Sequence, residues 1–360
     1  MDILNVAEIV AYSYPIIDTI NIAGTPVKQL MNFDDVYEYI SDLGNGSFGN
    51  VRSYREKSSR NIYAFKEIEI TNKENIRSLN HEVDIMKNLS SKNTSIVQYH
   101  DSFIYSRGDT PIYVIVTEYI DGFTLKQYVA RLIESNSLAS PKMIFNLALW
   151  LFSTIAFIHD TGYVHRDIKP DNIMIDARGK RFVLLDFGLT CSLKGKAFES
   201  CDIKKLAGTP SYLSPERWIQ ANKSASNINS RSFFATITND LSMLKKADVW
   251  AAGVTIFYIA ERRIPWTSRN DIHTIQREVI GPYTITCTYQ SPTIMNILSM
   301  ALVRDDNQRS SASQIVTRMK NMLYKPMVPK QTPGLETHYE ESIVDIYEAH
   351  EIPLETVNRI

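Results

Sequence analysis

The stretch "HRDIKPDN", His165–Asn172, followed by "DFG" at Asp186–Gly188, decides how this chain is read. Eight residues hold two acids, two bases, a histidine and a carboxamide, directly after an apolar run. A single aspartate in a loop is usually solvated or caps a helix. Two polar motifs separated by nineteen residues from Asp167 to Asp186 ask instead for a shared chemical task.

Upstream, "LGNGSFGNV", Leu43–Val51, sets Gly44, Gly46 and Gly49 in a G-x-G-x-x-G-x-V loop between two strand-like segments. Glycines let a backbone come close to phosphates and offer unobstructed N–H donors. A tight structural hairpin gives the same pattern. A dinucleotide-binding loop would have to open a helix, and "RSYREKSSRNIYAF" is not helical in pattern. In "NIYAFKEIEI" the alternation predicts a half-buried strand that carries Lys66 beside Ala64. An ammonium there needs a partner or an exposed edge. Glu82 is the natural partner, on the helix predicted over "KENIRSLNHEVDIMKNL", where Ile76, Leu79, Val83, Met86 and Leu89 form the buried stripe. The strands "SIVQYHDSFI" and "PIYVIVTEYI" follow.

Strands, one helix and strands up to Ile120, then mainly helices, predict an α+β, two-lobed fold: a small antiparallel sheet with one main helix, and a larger helical lobe. The expected boundaries are a leader over 1–36 and a domain over 37–323. That domain divides into a small lobe 37–120, a hinge 121–124, a large lobe 125–323 and a Ser/Asn-rich surface insertion 220–239; a loosely ordered tail follows over 324–360. "MIFNLALWLFSTIAFI", Met143–Ile158, is sixteen residues and falls short of the ~18–20 that span a bilayer, so a buried helix is expected, capped by Ser140 with Pro141 at its first position.

The chain has 360 residues, 44% hydrophobic and 22% charged, and a formal charge of -1, so no bulk field draws it to nucleic acid or an anionic membrane. Any phosphate must be held locally. Three widely spaced cysteines, Cys191, Cys201 and Cys287, fit neither a disulfide framework nor a zinc site and point to a reducing compartment. The first residues lack the form of a signal peptide, which makes cytoplasm or nucleus the expectation.

Taken together, H-R-D-x-K-x-x-N, D-F-G and the glycine loop resemble the protein kinase family, over about Tyr37 to Leu323. The resemblance implies transfer of the γ-phosphoryl group of ATP to protein hydroxyls, with ATP and Mg2+ as cofactors and protein substrates as partners. It makes Asp167 the acceptor of the substrate proton and Lys169 the neutraliser of the transferring group, and it pairs Lys66 with Glu82 to aim the ammonium at the phosphates. Asn172 and Asp186 would hold magnesium. The nucleotide pocket would use Leu43, Gly44, Asn45, Gly46, Ser47, Phe48, Gly49, Val51, Ala64, Lys66, Thr117, Glu118, Ile120 and Met174, with Glu118 and Ile120 offering backbone hydrogen bonds and Thr117 guarding the inner pocket. His165 would be structural, packed under Phe187. "AGTPSYLSPE" resembles the end of the activation segment, with Ser214 where alanine is usual, Glu216 paired to Arg309, and Asp248 holding the catalytic loop. Lys169 and "GTPSY" follow the serine/threonine pattern, in which Thr209 would bond Asp167 and Lys169. Lys205 stands where relatives commonly carry the activating phosphate, so gating elsewhere, at Ser200 or Asp202, is expected. The alternatives are a scaffold of the same fold that transfers no phosphate, and a small-molecule phosphotransferase.

Overall fold

The computed structural model describes residues 17–22, 25–30, 32–46, 49–179, 181–193, 206–225, 242–268, 270–282 and 284–323. Contacts divide the chain into two compact units, Met1–Asp121 with Val183–Thr190, and Gly122–Phe182 with Cys191–Ile360. The segment 183–190, assigned to the large lobe from sequence, thus packs with the first unit. It does so because Leu184 bridges Ile96 in parallel and exchanges backbone hydrogen bonds with Ser95 and Val97.

The first unit is built on a seven-stranded sheet. Its strands are β1 (Ile17–Ile22), β2 (Thr25–Leu30), β3 (Tyr37–Gly46), β4 (Gly49–Glu56), β5 (Ile62–Glu69), β6 (Tyr99–Arg107) and β7 (Thr110–Glu118), in the spatial order β1-β2-β6-β7-β5-β4-β3. All neighbours are antiparallel except β2 and β6, which run parallel at Gln29↔Ile104. Two of these strands lie in the segment read from sequence as a leader without period. They pair with each other as a hairpin, but the strand that joins them to the sheet, β6, lies more than seventy residues away from β2, and no local pattern announces it.

Helix α2 (Lys73–Ser90) buries the predicted stripe Ile76, Leu79, Val83, Met86 and Leu89. Asn72 caps it by accepting from the N–H of Asn75 at 2.9 Å. On the sheet, alternation along β5 sends Phe65 and Glu67 to one face and Ala64 and Lys66 to the other. The Phe65 face carries an aromatic layer, sealed by the one-turn helix α1 (Phe33–Val36). Phe33 stacks on Tyr105 with ring centres 4.3 Å apart, and Tyr54 meets Phe65 at 4.6 Å.

In the second unit, strand β8 (Gly122–Thr124) pairs with β9 (Ile173–Asp176), so that Met174 lies opposite Thr124. Thr124 also forms a reciprocal capping box with Gln127 at the start of α3 (Leu125–Glu134). Helix α4 (Pro141–Asp160) begins at Ser140, whose hydroxyl accepts from the N–H of Met143 at 3.1 Å. At twenty residues it exceeds the predicted apolar run, and by length and composition alone it could cross a membrane. In the structure Leu147, Leu151, Phe152 and Ile155 are fully buried against α6 (Ser242–Glu261), α8 (Pro292–Ala301) and α9 (Ala312–Leu323). Helix α5 (Pro215–Ala225) continues through Gln220 and so takes up the first part of the predicted insertion. Residues 226–239 and the tail from 324 lie outside the described residues. Between α6 and α8 lies α7 (Ile272–Ile280).

Candidate active site

Two clusters of polar side chains stand out, one in each unit. In the first, the ammonium of Lys66 on β5 lies 2.7 Å from Glu82 Oε1 on α2 and 3.0 Å from Asp186 Oδ1. The Glu82 side chain is 6% exposed. Burial alone would pull the Lys66 ammonium down, but Glu82 and Asp186 outweigh it and hold the group above the ordinary lysine value. Asp186 adopts φ 54°, unusual for a residue with a Cβ. Its Oδ1 accepts from the N–H of Gly188 at 3.3 Å.

The same unit carries the glycine hairpin. Gly44 pairs with Val51, Asn45 with Asn50, and Gly46 with Gly49. Gly44 has φ +153°, and a Cβ on Gly49 would sit 2.2 Å from the carbonyl oxygen of Glu67, so the backbone approach there requires glycine. Val51 lies opposite Lys66, and Ala64 opposite Thr117. Thr117 Oγ1 reaches the Ala64 carbonyl at 3.5 Å, while Glu118 exchanges backbone and side-chain bonds with Gln98. Leu43 is exposed, and Ile120 follows the end of β7. Ser47 and Phe48 lie outside the described residues, as do Ser200, Asp202 and Lys205.

In the second unit, Asp167 is 7% exposed and held on several sides. Its Oδ1 accepts from the hydroxyl and N–H of Thr209 at 2.8 and 3.1 Å. Its Oδ2 lies 2.7 Å from the Lys169 ammonium and accepts from Asn172 Nδ2 at 3.1 Å. Lys169 also donates to Thr209 Oγ1 at 2.9 Å. Asn172 spends its amide N–H groups on Asp167, with a second bond to the Asp167 carbonyl at 2.9 Å. This leaves the carboxamide oxygen as the side-chain atom that could face a cation.

The loop is anchored from below by Asp248 on α6. Asp248 Oδ1 accepts from the N–H of Arg166 at 2.8 Å; Oδ2 accepts from the N–H of His165 and meets His159 Nε2, both at 2.9 Å. Burial would raise the Asp248 carboxyl, but the hydrogen bond and charge of His159, with the contribution of His165, pull it below the ordinary aspartate value. His159 carried no signal in the sequence reading. It belongs to the apolar helix α4, eighty-nine residues before its partner. His165 is fully buried.

Arg309 is completely buried and grips both oxygens of Glu216 at 2.7 and 3.0 Å. Cys287 is a free thiol, whereas Cys191 is disulfide-bonded, contrary to the expectation of unpaired cysteines.

Asp186 and Asn172 each present an oxygen donor of the kind Mg2+ takes, and magnesium commonly binds through one or two carboxylates while phosphates and waters complete its shell. Among the described residues there is no cluster of three or more His, Cys, Asp or Glu that could hold an ion by itself. Asp186 and Asn172 are each, by themselves, donors of the type a magnesium–nucleotide complex uses.

The family model of the protein kinase domain matches residues 37–319. The chain is 27% identical over 287 residues to the probable serine/threonine-protein kinase nek2 of Dictyostelium discoideum, covering 78% of this chain and 62% of that protein. It is 28% identical to serine/threonine-protein kinase 36 of Pongo abelii (81% and 19%) and 25% identical to the MAP kinase kinase MKK1/SSP32 of Saccharomyces cerevisiae (79% and 53%). It thus spans less than two thirds of each of these relatives.

Proposed function

Because the chain belongs to the protein kinase family, we propose that it is a serine/threonine protein kinase, transferring the γ-phosphoryl group of Mg-ATP to hydroxyls of protein substrates. The observation that carries this reading is the orientation of Asp167 by Thr209, Lys169 and Asn172. A carboxylate fixed in this way can accept a hydroxyl proton without reorganising. Lys169, ion-paired beside it, is a cation available to the negative charge of a transferring phosphoryl group.

Lys66, directed by Glu82, supplies a phosphate-binding cation; the glycine hairpin supplies backbone N–H donors; Val51, Ala64, Thr117 and Met174 offer surface for the base. Asn172 and Asp186 would hold magnesium, which when bound neutralises phosphate charge. The serine/threonine preference rests on Lys169 and Thr209 and on the similarity to serine/threonine-protein kinases. Nothing favours a scaffold without phosphotransfer, since every ionisable group the chemistry asks for is present.

The test is incubation with magnesium, labelled ATP and a generic basic protein, beside Asp167→Asn. Label is expected on serine and threonine of the substrate with the wild-type chain and not with the variant. No transfer by folded, nucleotide-binding protein, or equal transfer by both, would sink the reading.

A further inference from the structure

The residue after Lys66 points to the opposite face of the sheet and is as deeply buried as any charge in the first unit. The Glu67 side chain is 2% exposed. Its Oε1 accepts from the hydroxyls of Tyr54 at 2.7 Å and Tyr105 at 3.2 Å. Its Oε2 takes two guanidinium groups, Arg52 from β4 and Arg107 from β6, the latter at 2.5 Å. Arg52 continues outward, donating through Nε to Asp42 Oδ1 at 2.9 Å.

Asp42 and Arg52 face each other across β3 and β4, on either side of the glycine hairpin. The chain of contacts Glu67–Arg52–Asp42 therefore closes the neck of that hairpin and ties it to the strand bearing Lys66. The backbone adds a second tie, since Gly49 approaches the Glu67 carbonyl too closely for any Cβ.

A buried carboxylate is a poor device for stability alone. An apolar residue of similar size would fill the site without the desolvation cost. What the carboxylate adds is direction, because a charge-assisted hydrogen bond to a planar guanidinium fixes the geometry of its partner.

We propose that Glu67 is a positioning residue for the nucleotide: through Arg52 and Asp42 it sets the neck of the glycine hairpin, and so tunes nucleotide affinity rather than the phosphoryl-transfer step. This rests on the kinase reading above.

The experiment compares wild type with Glu67→Gln, nearly isosteric but uncharged, and with Asp42→Asn. Asp42 has a side chain 70% exposed, so its replacement will not threaten folding. Three readouts are taken: affinity for a fluorescent ATP analogue, the separate values of kcat and KM for ATP, and amide hydrogen exchange of residues 39–44 and 50–55. Glu67→Gln should raise Kd and KM about tenfold, the worth of one charge-assisted hydrogen bond, with kcat within about threefold. Exchange in both neck strands should accelerate. Asp42→Asn should move affinity and exchange in the same direction by about threefold, since its ion pair is exposed.

Unchanged affinity and exchange in both variants, or a fall confined to kcat, would overturn the proposal. Should Glu67→Gln fail to fold, Asp42→Asn decides alone. Should the wild type bind no nucleotide, the kinase reading fails, while hydrogen exchange still reports whether Glu67 holds the neck.

Discussion

Replacing Asp248 by asparagine probes the support beneath Asp167. Asp248 is 1% exposed, and its two oxygens serve the N–H groups of His165 and Arg166 and the ring of His159. An asparagine that keeps its oxygen toward His165 and His159 must turn its NH2 group against the N–H of Arg166. One charge-assisted bond is lost, at about 1.5–3 kcal/mol, and a buried donor is orphaned, at about 1–3 kcal/mol more. The sum is about 2.5–6 kcal/mol, concentrated on one peptide.

That peptide is already strained, since Arg166 sits at φ 70°. Released, it should relax toward negative φ and carry Asp167 with it. A displacement near 1 Å at the reacting group costs about 100-fold in rate, so kcat should fall at least that far while KM for ATP moves little. Peptide phosphorylation kinetics test this beside thermal unfolding. Because the folded carboxyl titrates below the ordinary range, its stabilisation is present above the unfolded aspartate value and is lost as pH falls through the folded one. Asp248→Asn should therefore flatten the acid limb of the stability profile. A variant with kcat within about threefold of wild type would refute the reasoning, since a lost anchor of this size cannot be silent.

Two further perturbations separate stability from catalysis. Arg309→Met strands the Glu216 carboxylate and releases bonds to the carbonyls of Val303 and Lys246. It should cost about 3–5 kcal/mol, read from urea unfolding, and Glu216→Gln combined with it should cost less than the two single changes added. Gly208→Ala places a Cβ 2.7 Å from the Arg166 carbonyl at a backbone φ of +114°. The displaced Thr209 should loosen Asp167, lowering kcat at least about tenfold with a stability loss of only about 1–2 kcal/mol, measured by kinetics beside unfolding.

The candidate catalytic stretch was legible because its chemistry is local. Asp167, Lys169 and Asn172 stand within six residues, and the hydrophobic periods of α2 and the cap at Ser140 carry their own signals. Long-range partners carried none. Glu67 looked like one more acid in "FKEIEI", because the arginines that claim it lie fifteen residues before and forty after. His159 was hidden in an apolar helix for the same reason.

By itself the sequence determined which residue types are available and where strands and helices begin, since propensity, periodicity and capping act over a few residues. The tertiary structure decided which charges share a partner. It set Lys66 between Glu82 and Asp186, gathered two arginines and two tyrosines around Glu67, and turned the unpatterned segment at 17–30 into two strands of the sheet. Burying a charge is costly unless a partner arrives with it, and that partner is chosen by the packing of distant strands and helices.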